Sequence, residues 1–564
     1  MEICTIENVT FSYPGAQLPT LTSLNLSINQ GEFVILFGES GSGKTTLLKL
    51  LKKELTPYGT KTGNIYYKGT EIEEIDERTS ASEIGFVMQD PETQIVTDKV
   101  WHEIAFGLEN IGVDPAIIRS RVGEIANYFG IHTWFRKDTD ELSGGQKQLL
   151  NLASVMAMQP KILILDEPTS QLDPIAATNF LHTLKKLNDD LGITIIMVEH
   201  RLEEVLPIAD KVVFLEKGSL LFTNTPRSIG EQLKKLHPDH PMLLALPTGM
   251  KIAHAMQQYH VNPLTIKEGQ VFLSTHYQQG IRQLDKKEVK QSSKVILEVK
   301  DAWFRYEKKS EDILADVNMS FLKGEIFSVL GGNGSGKSTF LNVLARQLRP
   351  YRGKILLHNK NINKYGEQSL YHQNIALLPQ DPQTVFIKET IREDYEELLK
   401  AYDFSNEDIA TMIADVASRL GIGHILNAHP YDVSGGEQQK AALGKVLLLQ
   451  PKILLLDEPT KGIDAFAKQT LQHILRDLQA QGLTIIFVTH DIEFAAQIAN
   501  RVGLYFDNDL ISVNTPTAFF TNNNFYTTAS NRMTRNIFED VTTTEEVITL
   551  CRLNEELKYE KAVD

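Results

Sequence analysis

Two stretches of the chain place a lysine and a hydroxyl at the end of a glycine-rich run. Gly38, Glu39, Ser40, Gly41, Ser42, Gly43, Lys44 and Thr45 lead into Thr46, and Gly331, Gly332, Asn333, Gly334, Ser335, Gly336, Lys337 and Ser338 lead into Thr339. Both runs satisfy the pattern G-x-x-x-x-G-K-[ST]. Where glycines leave out side chains, several backbone N–H groups can turn toward one point, and a following helix presents its positive end there. A polyphosphate fits such a nest. The lysines then reach the β- and γ-phosphates, and the Thr45 and Ser338 hydroxyls are placed to hold Mg²⁺.

Two acidic pairs, Asp166-Glu167 and Asp457-Glu458, end the apolar runs that begin at Lys161 and Lys452. Side chains alternate along a strand, so adjacent acids cannot share one job. Asp166 and Asp457 suit the Mg²⁺ shell, while Glu167 and Glu458 suit orienting or deprotonating an attacking water. His200 and His490 each follow a β-branched run, Thr194 to Val198 and Thr484 to Val488, where a phosphate sensor would sit. Ser143-Gly144-Gly145 and Ser434-Gly435-Gly436 each open a helical pattern, a position that suits an N-cap and an anion alike.

These residues come as two sets on one ruler. Lys44 and Lys337 are 293 positions apart, whereas Ser143 and Ser434, and Asp166 and Asp457, are each 291 apart. Such a long period means a duplicated domain. The elements that must position the loops are a buried strand before each, Phe33 to Phe37 and Ile326 to Leu330, and a helix after each, Thr46 to Leu55 and Thr339 to Leu348. The copies run from about Glu2 to Phe222 and from about Val295 to Val513. Between them, Pro241 to Leu273 has helical apolar spacing, and 278 to 294 is polar and charged and reads as a tether. Asp540 to Glu546, before Val547 to Leu550, weakly echoes Asn262 to Glu268, so each half is expected to own a small helical appendage.

The 564 residues predict several folding units. Lys plus Arg total 57 against 72 Asp plus Glu, and a net charge of -15 has the wrong sign for wrapping a polyanion over a broad surface. Cys4 and Cys551 stand alone near opposite ends, supporting neither a disulfide framework nor a zinc or iron–sulfur site and fitting a reducing cytosol. The apolar runs are strand-sized or shorter, well below the roughly 20 residues a membrane helix needs. The first residues lack the pattern of a secretory signal.

With these motifs in place, both halves resemble ATP-binding cassette ATPases. Leu142 to Gln146 looks like the family's signature sequence, and Val433 to Glu437 looks like it with two departures, at Val433 and Glu437. Gln89 and Gln380 resemble the Q-loop glutamines, Asp173 and Asp464 the D-loop aspartates, and His200 and His490 the switch histidines. Tyr13 and Tyr306, each 31 residues before its lysine, resemble the aromatic that stacks on adenine. The resemblance implies an α/β fold: two P-loop NTPase cassette domains, each with a RecA-like parallel sheet core, an antiparallel β-subdomain and a helical signature subdomain, and each with a small helical C-terminal appendage. The expected bounds are 1–225 for the first cassette, 226–277 for its appendage, 278–294 for the linker, 295–515 for the second cassette and 516–564 for the last appendage.

It also implies ATP and Mg²⁺ as ligands. Nucleotide binding would fall to Tyr13, the loop from Gly38 to Thr46, Ser143, Gly144, Gly145 and Gln146, and to Tyr306, the loop from Gly331 to Thr339, Ser434, Gly435, Gly436 and Glu437. The cation would fall to Thr45, Gln89 and Asp166 and to Ser338, Gln380 and Asp457. Glu167 with His200, and Glu458 with His490, would be catalytic. In this family one domain's signature completes the other's site, which would join Lys44 and Glu167 to Ser434, and Lys337 and Glu458 to Ser143.

The segments after the two glutamines narrow the resemblance. Gln89-Asp90-Pro91-Glu92-Thr93-Gln94, leading to Glu103, looks like the ATPases of energy-coupling factor importers of vitamins and metal ions, and Gln380-Asp381-Pro382-Gln383-Thr384 is a shorter version. Fused pairs of this kind include ones linked to thiamine or hydroxymethylpyrimidine uptake. The implied partners are an integral membrane subunit and a substrate-binding membrane subunit, with this chain peripheral on the cytoplasmic face of the cell membrane. Asp90, Glu92, Asp98 and Glu103 are expected to face the membrane partner. The competing reading is a soluble tandem cassette acting on ribosomes or nucleic acid. Its long helical hairpin linker conflicts with Pro226, Pro238, Pro241, Pro247 and Pro263.

Overall fold

The computed structural model describes residues 1–258, 261–277, 283–284 and 294–563. Most of the expected 278–294 tether lies outside the described residues. The chain divides into two compact units, Met1–Met250 and Lys251–Asp564.

In the first unit, β1 (Glu2–Ser12), β2 (Leu21–Asn29), β4 (Thr60–Tyr67) and β5 (Thr70–Glu71) form an antiparallel sheet in the order β2-β1-β4-β5. A six-stranded sheet runs β10-β9-β3-β8-β7-β6, with β3 (Phe33–Phe37), β6 (Ile84–Val87), β7 (Ile162–Asp166), β8 (Thr194–Val198), β9 (Lys211–Glu216) and β10 (Ser219–Asn224). Its pairs are parallel except β9 with β10. Every residue of β3, β7 and β8 is buried, as strands covered on both faces must be, which is why they read as unbroken apolar runs.

Helix α1 (Lys44–Leu50) follows the first glycine loop. It starts at Lys44, two residues earlier than periodicity suggested, because Gly43 at φ 93° turns the chain straight into it. A short 3-10 turn, Lys53–Leu55, takes up the rest of the expected span. The core of this unit fills the space between the two sheets and α1, with Val9, Phe11, Leu47, Leu48, Ile65 and Ile164 among its members. The helical part comprises α2 (Val100–Asn110), α3 (Pro115–Tyr128) and α4 (Gly144–Ala157), and α5 (Pro174–Leu191) flanks the large sheet.

The second unit begins with tail residues of the first half. Helix α6 (Ile266–His276) is followed by an antiparallel sheet of β11 (Val295–Phe304), β12 (Leu314–Leu322), β14 (Arg352–Leu357) and β15 (Lys360–Asn361) in the order β12-β11-β14-β15. The large sheet runs β16-β17-β18-β13-β19-β20, built from β13 (Ile326–Leu330), β16 (Ile375–Leu378), β17 (Ile453–Asp457), β18 (Thr484–Thr489), β19 (Arg501–Phe506) and β20 (Asp509–Asn514). Helix α7 (Lys337–Leu344) follows the second glycine loop. The helical part is α8 (Ile391–Lys400), α9 (Asn406–Leu420) and α10 (Gly435–Leu447), and α11 (Ala465–Ala480) flanks the sheet. The two copies thus share one strand order, which makes the chain a pair of cassette folds.

The apolar stretch from Pro241 to Leu273 is not continuous helix. It breaks into a 3-10 turn at Pro241–Ala245, a short helix at Thr248–Ala255 and α6, because Pro247 and Pro263 interrupt it. Ile252, Ala253, Met256, Phe272, Leu273 and Tyr277 pack into one core with Met533 of α12 (Ala529–Thr534), Phe538 and Val541, and with Val547, Leu550 and Cys551 of α13 (Thr544–Val563). The tails of both halves therefore share a core. Gly269 permits the approach of α6 to α12, since a Cβ there would lie 2.6 Å from Met533 Sδ. The sequence echo has a physical basis in capping. Thr265 and Thr543 accept from the backbone N–H of Glu268 and Glu546, whose carboxylates accept in return from the N–H groups of Leu264 and Thr542.

Candidate functional site

In each unit the first part of the site is the loop between β3 and α1, or β13 and α7. Gly43 and Gly336 sit at φ 93° and 104° at the helix entrances, where a Cβ would come within 2.6 Å of Leu21 and 2.7 Å of Ile313. Lys44 Nζ donates to the Gly38 and Glu39 carbonyls at 2.9 and 2.8 Å, and Lys337 Nζ to those of Gly331 and Gly332 at 3.0 and 2.8 Å. Each ammonium is thereby held over its own loop. The Ser42 and Ser335 hydroxyls are buried without a hydrogen-bond partner at the same loop position, and a buried hydroxyl with no partner marks a place where a ligand atom belongs.

The second part comes from the ends of β7 and β17. Thr45 Oγ1 donates to Asp166 Oδ1 at 3.1 Å, and Ser338 Oγ to Asp457 Oδ1 at 3.0 Å. Burial, joined by the charge of Glu167, pushes the Asp166 carboxyl up to about 6. Burial pushes Asp457 up to about 6 as well, with Glu458 adding to it against the Ser338 hydrogen bond. A buried carboxylate beside a hydroxyl, with a second acid next to it, is an all-oxygen donor set that a hard divalent cation fits. Without a cation, each raised carboxyl contributes stability that is full below its unfolded value of 3.8 and is lost as pH rises through about 6. Asp166→Asn is therefore expected to raise the unfolding free energy of the cation-free protein by up to about 3 kcal/mol at pH 7.5, a gain that shrinks steadily toward pH 4. Thermal melts in a chelator at both pH values check this. An unchanged melting point at pH 7.5 would remove the inferred strain.

Glu167 and Glu458 do not diverge from the aspartates by strand alternation, contrary to expectation. The strands end at Asp166 and Asp457, and Glu167 and Glu458 take φ 43° and 47°. This left-handed backbone costs a non-glycine residue roughly 1–2 kcal/mol. Each is pinned by its own N–H to the neighbouring strand, at Val198 O (3.1 Å) or Val488 O (3.0 Å). Strain kept at the same residue in both copies is characteristic of a working site.

Around Glu167 the structure gathers Gln89 Nε2 at 2.9 Å and His200 Nε2 at 2.8 Å, one on each carboxylate oxygen. The second unit differs. His490 approaches Glu458 Oε2 through Nδ1 at 2.9 Å and its own backbone N–H at 3.2 Å, while Gln380 is exposed and makes no such bond. Burial alone would raise the Glu458 carboxyl, but His490 and Lys337 hold it below its ordinary value.

Tyr13 and Tyr306 are tethered through their hydroxyls to Thr46 Oγ1 (3.1 Å) and Thr339 Oγ1 (3.0 Å), each ring edge-on to Phe11 or Phe304 and open to solvent. Ser143 and Ser434 cap α4 and α10 in capping boxes completed by Gln146 and Glu437. Their hydrogen bonds go to these caps, not to the loop of their own unit. Asp173 and Asp464 cap α5 and α11 through the N–H groups of Ala176 and Ala467, both at 2.8 Å.

Several acids have roles that sequence reasoning missed. Glu103, only 6% exposed, accepts from the backbone N–H groups of Val96 and Thr97, so it points inward to brace the segment after Gln89 and is not available to a partner. Asp394 does the same for Ile387 and Lys388, and pairs with Lys445 at 2.7 Å. Asp90 accepts from the N–H of Glu92, and Glu92 pairs with Lys147, but both stay exposed. Glu199, buried beside His200, accepts from the N–H and hydroxyl of Thr169 and from the N–H of His200. It clasps the segment after Glu167 to the histidine. The second unit has Thr489 there and uses Lys468 on Asp491 next door; burial would raise that carboxyl, but the ammonium 2.7 Å away brings it down to about 2. The Glu-His against Thr-His difference was the available signal.

Comparison with known proteins agrees with this geometry. The family model described as ABC transporter matches residues 21–170 and 314–461, which hold both glycine loops, both signature serines and both acidic pairs. A protein of Bacillus thuringiensis subsp. konkukian, provisionally named an ABC transporter ATP-binding protein, is 40% identical over 97% of this chain and 98% of its own. A Bacillus subtilis protein, provisionally named the HMP/thiamine import ATP-binding protein YkoD, is 30% identical over 92% of each chain. The solved structure of cbiO1 from Clostridium perfringens, described as part of the ABC transporter complex cbiONQ, is 29% identical over 45% of this chain and 99% of its own, with a TM-score of 0.38. Two complete cassettes, each with its glycine loop, paired acids and histidine on the same fold, and a family match over both, make this chain a tandem ATP-binding, ATP-hydrolysing protein of the ABC transporter family.

Proposed function

We propose that this ATPase energises an importer of the energy-coupling factor type, for a vitamin of the thiamine or hydroxymethylpyrimidine class or for a metal ion. It would work from the cytoplasmic face of the membrane, docked on an integral membrane subunit that pairs with a substrate-binding membrane subunit. The observation that carries this reading is the 30% identity over 92% of both chains with the protein named for HMP/thiamine import. Among the described residues no helix is long and apolar enough to cross a membrane, so passage of a substrate falls to other subunits.

The chemistry assigned to the site follows from its residues. The loop amides, with Lys44 or Lys337, bind the nucleotide phosphates, and Tyr13 or Tyr306 offers a ring face to the base. Mg²⁺ would be held by Thr45, Asp166 and Gln89, or by Ser338, Asp457 and Gln380, and when bound supplies positive charge to the β- and γ-phosphate oxygens. Glu167, held by Gln89 and His200, orients the water that attacks the γ-phosphate and takes up its proton, and Glu458 does so beside His490. Ser434 and Ser143 meet the γ-phosphate held by the other half's lysine in the closed state.

Docking is assigned to the segment after Gln89, where Val96 is 68% and Trp101 42% exposed. Two open apolar side chains beside a braced loop fit a short apolar helix of a membrane subunit, with the exposed acids Asp90, Glu92 and Asp98 around them. Changing Val96 and Trp101 to aspartate should leave ATP turnover in solution within about twofold, because both lie outside the site, while abolishing co-purification with the membrane subunits. Intact assembly and uptake by this variant would overturn the docking surface.

A further inference from the structure

The two signature segments differ in what holds the serine. In the first unit the Gln146 side chain accepts from the Ser143 N–H at 3.0 Å, and Ser143 Oγ accepts from the Gln146 N–H at 3.4 Å, so the cap leaves the Ser143 hydroxyl proton uncommitted. In the second unit the Ser434 hydroxyl itself donates to Glu437 Oε2 at 2.6 Å, and the same oxygen accepts from the Ser434 N–H at 3.1 Å. The other carboxylate oxygen, Glu437 Oε1, lies 2.9 Å from His424 Nε2. Burial alone would raise the Glu437 carboxyl, but the hydrogen bonds from Ser434 and His424 keep it below its ordinary value. It is a charged acceptor.

Resting on the proposal that Ser434 serves a nucleotide γ-phosphate, we infer that Glu437 is a negative positioning residue that competes with the phosphate for the Ser434 hydroxyl, and that His424 relieves this competition when protonated. A serine can donate only one proton. While it donates to Glu437, it cannot donate to a phosphate oxygen, and the carboxylate charge opposes the anion directly. An imidazole is the side chain whose charge changes within the physiological pH range. Its protonation cancels the Glu437 charge and weakens that carboxylate's hold on Ser434. Among the described residues, His424 is the one titratable side chain within ion-pair distance of Glu437; the remaining partner of Glu437 is Ser434 on its own cap. In the first unit Thr133 stands at the position of His424, so that signature carries no such control. The two nucleotide sites are therefore unequal by construction.

Glu437→Gln is the direct test, because Gln146 shows that an amide completes the same cap and the helix start is preserved. ATP turnover at limiting ATP should rise about two- to fivefold at pH 8.5, the usual worth of one partly exposed charge contact, and the gain should shrink toward pH 6. His424→Ala should remove that pH dependence of the gain. Gln146→Glu, made without a histidine neighbour, should lower turnover at both pH values. Ser434→Ala is measured alongside. If it lowers turnover while Glu437→Gln changes nothing at either pH, this inference fails and the role of Ser434 stands. If Ser434→Ala changes nothing, the role of Ser434 fails and the inference with it.

Discussion

Changing Glu167 and Glu458 together to glutamine is expected to cut ATP turnover by about 10²–10⁴-fold while leaving ATP binding near wild type, the usual worth of a positioned base. Each carboxylate sits on a strained left-handed residue with a histidine on one oxygen. Glutamine keeps the size and one acceptor oxygen but cannot take up a proton from water. The backbone that positions it is pinned by main-chain bonds to Val198 and Val488, which the change does not touch. Turnover measured at saturating Mg²⁺ and ATP, beside an equilibrium titration of nucleotide, separates the two quantities. Near-normal turnover in the double variant would remove the role given to both glutamates.

Changing Lys44 and Lys337 to alanine should act on binding instead. Each ammonium is nearly buried over its loop, so its removal takes away charge-assisted hydrogen bonds that a phosphate would receive in exchange for those of Gly38 and Glu39, or Gly331 and Gly332. At roughly 1.5–3 kcal/mol for a hydrogen bond to a charged group, affinity at each site should fall about ten- to 100-fold. Isothermal titration of each single variant should leave one strong and one weak site. Wild-type affinity in the double variant would show that the loops are not the phosphate nests.

Much of this was legible in the sequence because buried parallel strands and glycine loops carry strong local signals. Phe33 to Phe37 and Ile326 to Leu330 read as uniform apolar runs because both faces of each strand are covered, and the strands have those bounds. The spacing that pairs Asp166 with Thr45, and Asp457 with Ser338, is the spacing of one fold made twice. What escaped is tertiary. Nothing local marks Glu167 as left-handed, since glutamate has no preference for that backbone, which is held by bonds to Val198 and Ser170. Glu103 reads as a charge facing the membrane partner, yet it folds under the loop it braces. The two tails echoed each other in sequence, but they bury Phe272 and Val547 in one core, which no local pattern predicts.

The central claim is that one chain carries two working nucleotide sites. Counting Mg²⁺·ATP retained per chain by the Glu167→Gln, Glu458→Gln variant, by native mass spectrometry after removal of free nucleotide, tests it most directly. The account predicts two nucleotides on each chain, falling to one when either Lys44 or Lys337 is also changed to alanine. A single nucleotide on the chain with both lysines intact would contradict it.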